Sequence, residues 1–168
     1  MGFDMTLLDV GGGFQDSNFH LMAPSLRRAV EEAFPSRNVR IIAEPGRFYA
    51  RSYYTLACKV ISRRNHNSDT TPPHMDMLYQ NDGIYGCFMN RVTEDELFFP
   101  SLISVDKDRG GSRGQGKHHY SVWGPTCDSV DCISDRATLH CEALVGDWLK
   151  YENMGGKRQM QSVLMHQV

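Results

Sequence analysis

The sequence predicts an α/β segment over residues 1–50, followed by a mostly β domain over residues 51–155. The first fifty residues show the patterns of a strand, a helix and a second strand in turn, which is the order of a βαβ unit. After Arg47 the chain consists of short stretches rich in β-branched and aromatic residues, separated by Gly, Asn and Asp, which is typical of strands joined by turns. Residues 156–168 have at most a weak helical pattern, and we expect them to be a divergent tail.

Three patterns predict the βαβ unit. Residues 5–10 form a short apolar run, which favours a buried strand of a parallel sheet, and residues 39–43 form a second one. Apolar residues spaced three and four apart after Pro24 predict an amphipathic helix, which Pro35 ends. Because the strand at 5–10 has no element before it to pair with, we expect the chain to begin inside a larger fold.

Strands and loops are also expected in the β domain. Residues 53–61 predict a long strand, and Asp82-Gly83 inside the apolar stretch 77–89 indicates a hairpin turn. Polar composition predicts exposed loops at 62–73 and 106–117. The further strands that we expect lie at 120–123, 130–133 and 143–151.

Charge and composition exclude several classes of function. A net charge of −2 offers no basic surface for nucleic acid or for an anionic membrane, and no apolar run approaches the ~20 residues that span a bilayer. The five cysteines are irregularly spaced and form no C-x-x-C pair, which predicts no metal site and favours reduced thiols. Since no secretory leader follows Met1, these features predict a cytoplasmic protein.

Two short motifs follow the predicted strands. Gly11-Gly12-Gly13 comes directly after the first strand, and three residues without side chains let backbone N–H groups converge on a phosphate. Glu44 follows the second strand, where barrel enzymes place catalytic groups, and Pro45-Gly46 aims its carboxylate toward the barrel mouth. A flexible glycine turn and an exposed Glu–Arg ion pair also explain these motifs when each is taken alone. Their position at the ends of successive strands favours a shared site.

Five blocks of the sequence resemble signatures of the eukaryotic ornithine decarboxylases, a group of pyridoxal-phosphate-dependent decarboxylases. The blocks occur in the family's order and cover nearly the whole chain up to Gly155. They are LLDVGGGF at 7–14, AEPGRFY at 43–49, NDGIYGCF at 81–88, WGPTCD at 123–128, and VGDW at 145–148 with ENMG at 152–155. The resemblance implies the C-terminal end of a TIM-like (β/α)8 barrel that binds pyridoxal phosphate, followed by a β-sandwich or β-barrel domain, in a truncated chain.

The same resemblance implies a cofactor and a reaction. The family uses pyridoxal 5′-phosphate to remove the α-carboxylate of L-ornithine, which gives carbon dioxide and putrescine for polyamine biosynthesis. By resemblance, the glycines bind the phosphate through N–H groups and Arg47 adds a positive charge. Glu44 keeps the ring nitrogen protonated, which strengthens the ring as an electron sink. The cofactor-binding residues implied in this way are Gly11, Gly12, Gly13, Glu44, Gly46 and Arg47.

The resemblance further implies that two subunits of a homodimer share each active site. Cys127 and Asp128 match a pair that reaches the neighbouring subunit's site. There the Cys controls protonation of the product carbanion, and the Asp binds the distal amine of ornithine. Tyr85 matches an interface tyrosine near the cofactor. For Cys127 taken outside its WGPTCD context, a buried and inert thiol is the preferred interpretation.

The sequence departs from the family in three places. The lysine that holds the cofactor covalently belongs to an upstream YAVK-like segment that residues 1–168 do not contain, so the isolated chain is expected to be inactive. Thr93-Glu94 stands where the family has Tyr-Asp, and the acid at this place binds the substrate amine. Lys157 stands where the family has a tyrosine that contacts the cofactor phosphate.

Two alternative functions remain open. A non-catalytic relative of the antizyme-inhibitor type would keep the fold and bind a partner protein. The family's antizyme-binding segment lies upstream, however, and residues 1–168 give no support for that contact. A decarboxylase for lysine, arginine or diaminopimelate would share the cofactor site. The WGPTCD block favours ornithine, whereas Thr93-Glu94 leaves room for a substrate of another chain length.

Overall fold

The computed structural model describes residues 5–36, 38–65, 75–103 and 115–156. The predicted tail beyond Gly156, and most of the two predicted polar loops, lie outside these ranges. In chain order the elements are β1 (Leu7–Asp9), α1 (Phe19–Ala33), β2 (Arg40–Ile42), α2 (Gly46–Ala50), a 3₁₀ turn (Arg51–Tyr53), β3 (Leu56–Arg64), β4 (Asp76–Gln80), α3 (Asn90–Thr93), β5 (Ser101–Ile103), β6 (Gln115–Trp123), β7 (Cys132–Cys141) and β8 (Trp148–Tyr151).

The first fifty residues contain the predicted βαβ unit, in which β1 and β2 are parallel and Asp9 lies opposite Ile42. The prediction that both strands are buried is wrong, because Leu7 is 41% exposed and Ile41 is 45% exposed. An open apolar cleft separates α1 from β2, with Leu26 and Val30 on the helix side and Ile41 on the strand side. Within the described ranges no third strand joins this sheet, so its apolar residues remain accessible.

Helix α1 begins at Phe19, five residues before Pro24, and not after that proline as predicted. The first turn is stabilised from outside the helix, because the Phe19 ring packs against Phe14 and Phe48 at centroid distances of 6.2 and 4.9 Å. These contacts offset the missing N–H of Pro24, which removes one hydrogen bond from the helix. The helix ends at Ala33, two residues before Pro35, as the sequence predicts.

The second part of the chain is one six-stranded mixed sheet in the order β5-β8-β3-β4-β6-β7. Neighbouring strands are antiparallel except for β4 and β6, which are parallel. The edge strands β5 and β7 approach each other, so the sheet is nearly closed and resembles a barrel more than a sandwich. Its interior consists of apolar residues that alternate along the strands, as expected for a sheet with one buried face. The largest of these are Leu78, Tyr120, Ile133, Leu139, Leu149 and Tyr151, and Phe88 joins them from the turn before α3.

Three predictions for the β domain need correction. Strand β3 begins at Leu56 and not at 53, because the residues up to Tyr53 are helical. Asp82-Gly83 does not form the turn of a hairpin. The Asp82 carboxylate accepts the N–H groups of Gly83 and Cys87 at 2.8 and 3.3 Å, and the residues after it therefore form turns that lead to α3. Strand β7 extends to Cys141, because polar residues on its exposed face hide an alternating apolar pattern.

Candidate functional site

The glycine triplet and Glu44 lie side by side at the carboxyl ends of β1 and β2. The Glu44 N–H donates to the carbonyl oxygen of Gly11 at 2.8 Å. A Cβ on Gly12 would lie 2.9 Å from the Glu44 carbonyl oxygen, closer than real Cβ contacts allow. Gly11 and Gly13 have φ values of +68° and +86°, which L side chains rarely adopt. The close approach of the two loops therefore depends on glycine.

The glycine loop has the features of a phosphate-binding loop. The Gly11 N–H donates to the Asp9 carboxylate at 2.8 Å, but within the described chain no acceptor takes the N–H groups of Gly12 and Gly13. A Cβ on Gly13 would meet nothing within 4 Å, so the space beside the loop is open. Two unpaired N–H groups beside open space suit a phosphate, and the residues present therefore fit a phosphorylated cofactor.

Glu44 is positioned by its own backbone. Its carbonyl oxygen accepts the Gly46 N–H at 2.8 Å across Pro45, which bends the chain directly after β2. Its side chain is exposed at the same strand edge as the glycine loop. A carboxylate in this place can face the ring nitrogen of a cofactor whose phosphate lies on the glycines.

Arg47 and Glu94 form an ion pair between the first part of the chain and the segment after α3. Both side chains are partly exposed, at 22% and 35%. The family resemblance implies Arg47 as a phosphate ligand and Glu94 as a substrate ligand. The structure brings these two residues into direct contact, so in this structure the charge of each is compensated by the other.

Arg51 connects the glycine loop to the same segment. Its guanidinium donates to the Gln15 side chain and, at 3.3 Å, to the Glu96 carboxylate. Asn18 in turn accepts the Gln15 N–H at 2.8 Å and donates to the Gly13 carbonyl at 3.1 Å. No motif or resemblance in the sequence indicates Arg51, Gln15 or Asn18 as site residues. Arg51 and Gln15 are 36 residues apart, and no local pattern indicates their contact.

The remaining predicted residues lie on two loops of the β domain. The Tyr85 hydroxyl donates to the Asp128 carboxylate, and Val130 N–H donates to the other Asp128 oxygen at 2.9 Å. The hydrogen bond raises the pKa of Tyr85, and the same bond, with a smaller contribution from Val130, lowers the pKa of Asp128. Cys127 is exposed, so the interpretation as a buried inert thiol is wrong.

The structure also bears on metals and membranes. Among the described residues, no three or more His, Cys, Asp or Glu side chains come together as a metal site. In the same part of the chain, no helix is long and apolar enough to cross a bilayer.

Two family models match the chain. The pyridoxal binding domain of pyridoxal-dependent decarboxylases matches residues 1–51, and their C-terminal sheet domain matches residues 48–155. A decarboxylase from Aspergillus flavus is 38% identical over 156 residues, which are 92% of this chain and 36% of that protein. The ornithine decarboxylase of Candida albicans is 36% identical over 183 aligned residues, covering 92% of this chain and 38% of the relative.

A solved structure has the same fold. The arginine decarboxylase of Paramecium bursaria Chlorella virus superposes with a TM-score of 0.69 and is 30% identical, over 89% of this chain and 38% of that protein. The chain thus spans little more than a third of the length of the proteins it matches. The six-stranded sheet corresponds to the C-terminal sheet domain in the family match.

Proposed function

Since the chain belongs to the pyridoxal-dependent decarboxylases, we propose that it is part of an enzyme that converts L-ornithine to putrescine and carbon dioxide. The family consists of lyases that use pyridoxal phosphate. The observation that carries the proposal is the pairing of a glycine loop, with two N–H groups that no acceptor in the described part of the chain takes, and an exposed glutamate at the ends of parallel strands. We further propose that residues 1–50 are the end of a (β/α)8 barrel and that residues 51–155 are the sheet domain.

Each residue of the cofactor site has a separate task. When pyridoxal phosphate is bound, its ring accepts the negative charge left on the α-carbon as carbon dioxide departs. The N–H groups of Gly12 and Gly13 bind the phosphate, and Arg47 adds a positive charge near it. The Glu44 carboxylate stabilises the protonated ring nitrogen, because opposite charges favour each other's ionised forms. The Gly46 N–H donates to the Glu44 carbonyl oxygen at 2.8 Å and so closes the bend that points Glu44 into the site.

The substrate side of the proposal rests on Asp128, Glu94, Cys127 and Tyr85. Asp128 binds the distal amine of ornithine, and the hydrogen bond from Tyr85 keeps this carboxylate ionised to lower pH. The exposed Cys127 lies next to it in sequence, where its thiol could deliver a proton to the α-carbon of the product. In this proposal the pair reaches the site of a second subunit in a homodimer, and Tyr85 lies at that interface.

Glu94 also belongs to the substrate side of the proposal. Glu94 is a second acid for the substrate amine, although its ion pair with Arg47 must open before an amine can bind.

We also propose a cytoplasmic location, which the five free thiols support because cytosolic thiols remain reduced.

The cofactor site can be tested without catalysis. Pyridoxine 5′-phosphate has the ring and the phosphate but no aldehyde, so its binding does not require a lysine. We expect the ³¹P signal of pyridoxine 5′-phosphate to broaden and shift when the 168-residue chain is added. With the Gly12→Val variant, we expect the signal to stay as it is in free solution. Pyridoxine, which lacks the phosphate, serves as the control ligand. If Gly12→Val binds as well as the wild type, the glycine loop is not the phosphate site.

The substrate can be identified with the protein expressed from its own gene. We expect carbon dioxide release from L-ornithine in the presence of pyridoxal phosphate, and slower release from L-lysine and L-arginine. A preference for arginine or lysine would transfer the proposal to that substrate, an outcome that the similarity to an arginine decarboxylase makes worth measuring. Cofactor binding without release from any of the three would favour a non-catalytic protein of the antizyme-inhibitor type.

A further inference from the structure

Asp131 is a buried acid that joins the two loops of the substrate side. The whole residue is buried, with 0% of its surface exposed. One carboxylate oxygen accepts the Ile84 N–H at 2.9 Å, from the loop that contains Tyr85. The other oxygen accepts the Thr126 N–H at 3.0 Å and the Thr126 hydroxyl at 2.7 Å, from the loop that contains Asp128. The carboxylate thus bonds to both loops at once.

Both loops approach this carboxylate so closely that only glycine fits. A Cβ added to Gly83 or to Gly124 would overlap the Asp131 carboxylate. The backbone of Asp131 adds two more bonds, since its carbonyl accepts the Gly124 N–H at 2.9 Å and its N–H donates to the Asp128 carbonyl at 3.0 Å. A buried carboxylate costs free energy unless its oxygens are hydrogen-bonded, so this enclosure holds the loops together only while the bonds are intact.

We propose that Asp131 is the positioning residue that holds Tyr85 and Asp128 within hydrogen-bonding distance of each other. Tyr85 and Asp128 are both exposed, and 43 residues separate them along the chain. Ile84 is the direct neighbour of Tyr85, and Thr126 lies two residues before Asp128. By bonding to Ile84 and Thr126, Asp131 therefore sets the distance between the two side chains. The catalytic importance of this role rests on the proposed function, but the geometry does not.

The pKa of Tyr85 is the measurement that tests this role, because a merely structural residue would not change it in a folded protein. The hydrogen bond to Asp128 raises this pKa, and the nearby charge of Asp131 makes a small further contribution. The value can be followed by NMR of ¹³Cζ-tyrosine in the 168-residue chain, with Tyr85→Phe for assignment and Asp128→Asn to give the pKa without its charged acceptor. Neither cofactor nor substrate is needed, so failure here is distinct from failure of the proposed function.

Two variants separate position from charge. Asp131→Asn has nearly the same size but replaces one acceptor oxygen with a donor. Thr126→Val removes the hydroxyl that donates to Asp131 at 2.7 Å and accepts the Asp128 N–H at 3.4 Å, and it leaves all charges in place. We expect both to lower the Tyr85 pKa toward that of Asp128→Asn. Asp135→Asn, an exposed acid on β7, is the matched charge control and should leave it unchanged.

The Tyr85 pKa in the two variants either supports the positioning role or overturns it. A lower Tyr85 pKa in both Asp131→Asn and Thr126→Val supports the positioning role. A decrease in Asp131→Asn alone would mean that only the charge acts, and it would overturn the proposal. If Asp131→Asn does not fold, as judged by its circular dichroism spectrum, Thr126→Val is compared with Thr126→Ser, which keeps the hydroxyl and should restore the wild-type value. A Tyr85 pKa in Thr126→Val equal to that of the wild type would overturn the proposal.

Discussion

The backbone of Glu44 contacts the glycine loop at two points: its N–H donates to Gly11 at 2.8 Å, and its carbonyl oxygen lies 2.9 Å from where a Cβ of Gly12 would stand. The two candidate cofactor groups are therefore parts of one backbone arrangement at the ends of β1 and β2. A change in one loop must displace the other.

Gly12→Ala is the smallest change that tests this relationship. The added Cβ meets backbone atoms, which cannot rotate away, so we expect a loss of about 1–3 kcal/mol in the free energy of unfolding. Gly46→Ala is the control, because a Cβ there meets nothing within 4 Å and Gly46 has no positive φ. Urea denaturation measures both. Equal midpoints for the two variants would contradict the close approach.

Gly155→Ala should be the more damaging glycine substitution. A Cβ on Gly155 would overlap the carbonyl group of Ala50, and the Gly155 N–H donates to Arg51 at 3.1 Å. We expect residues 152–156 to separate from the 3₁₀ turn, with a cost of about 3 kcal/mol or more because the overlap is with backbone. Thermal unfolding measures the effect. A melting temperature as high as that of Gly46→Ala would show that this packing is absent.

Arg51→Met tests the connection between the glycine loop and the segment after α3. It removes hydrogen bonds to Gln15 and Glu96 while keeping an unbranched apolar stem in place of the arginine methylenes. We expect a loss of about 1–3 kcal/mol, as for hydrogen bonds to charged groups, and weaker binding of pyridoxine 5′-phosphate. Arg27→Met is the control, because the Arg27–Glu31 pair lies on the exposed face of α1 and contributes about 0.3–0.5 kcal/mol. Similar urea midpoints for the two variants would argue against the connection.

The Tyr85–Asp128 hydrogen bond predicts a pH dependence of stability. The pKa of Asp128 is lowered in the folded chain, so its contribution is present above its unfolded pKa and is lost as the pH falls through the folded value. The pKa of Tyr85 is raised, so its contribution is lost as the pH rises through that higher value. Urea midpoints from acid to alkaline pH should therefore depend less on pH in Asp128→Asn and in Tyr85→Phe. Parallel curves for wild type and both variants would exclude the bond.

The cysteines should react with alkylating reagents in a definite order. Cys127 is exposed, whereas Cys58 is buried and burial raises the pKa of its thiol well above the usual value. Since the thiolate is the reactive form, we expect iodoacetamide to modify Cys127 first and Cys58 only after unfolding. Mass spectrometry of peptides after brief labelling gives the order. Early modification of Cys58 in the folded protein would contradict the described core.

Local patterns predicted those elements whose structure depends on neighbours in sequence. The βαβ order, the end of α1 before Pro35 and the long strand β3 follow from apolar spacing and from proline. The Asp82-Gly83 hairpin was predicted wrongly, because the Asp82 side chain bonds to the next residues and the parallel partner of β4 is β6. The exposure of β1 and β2 also could not be predicted, because burial depends on which elements cover a strand.

The family blocks can be read along the chain, and so can the neighbourhood of the glycine triplet and Glu44, because parallel strands end at the same edge of their sheet. Only the tertiary structure decided that Arg47 pairs with Glu94, that Arg51 bonds to Gln15, and that Asp131 joins the loops of Tyr85 and Asp128. Apart from Thr126, which lies five residues before Asp131, these partners are tens of residues apart. Sheet order and strand register choose among such distant pairs, and no short pattern along the chain records that choice.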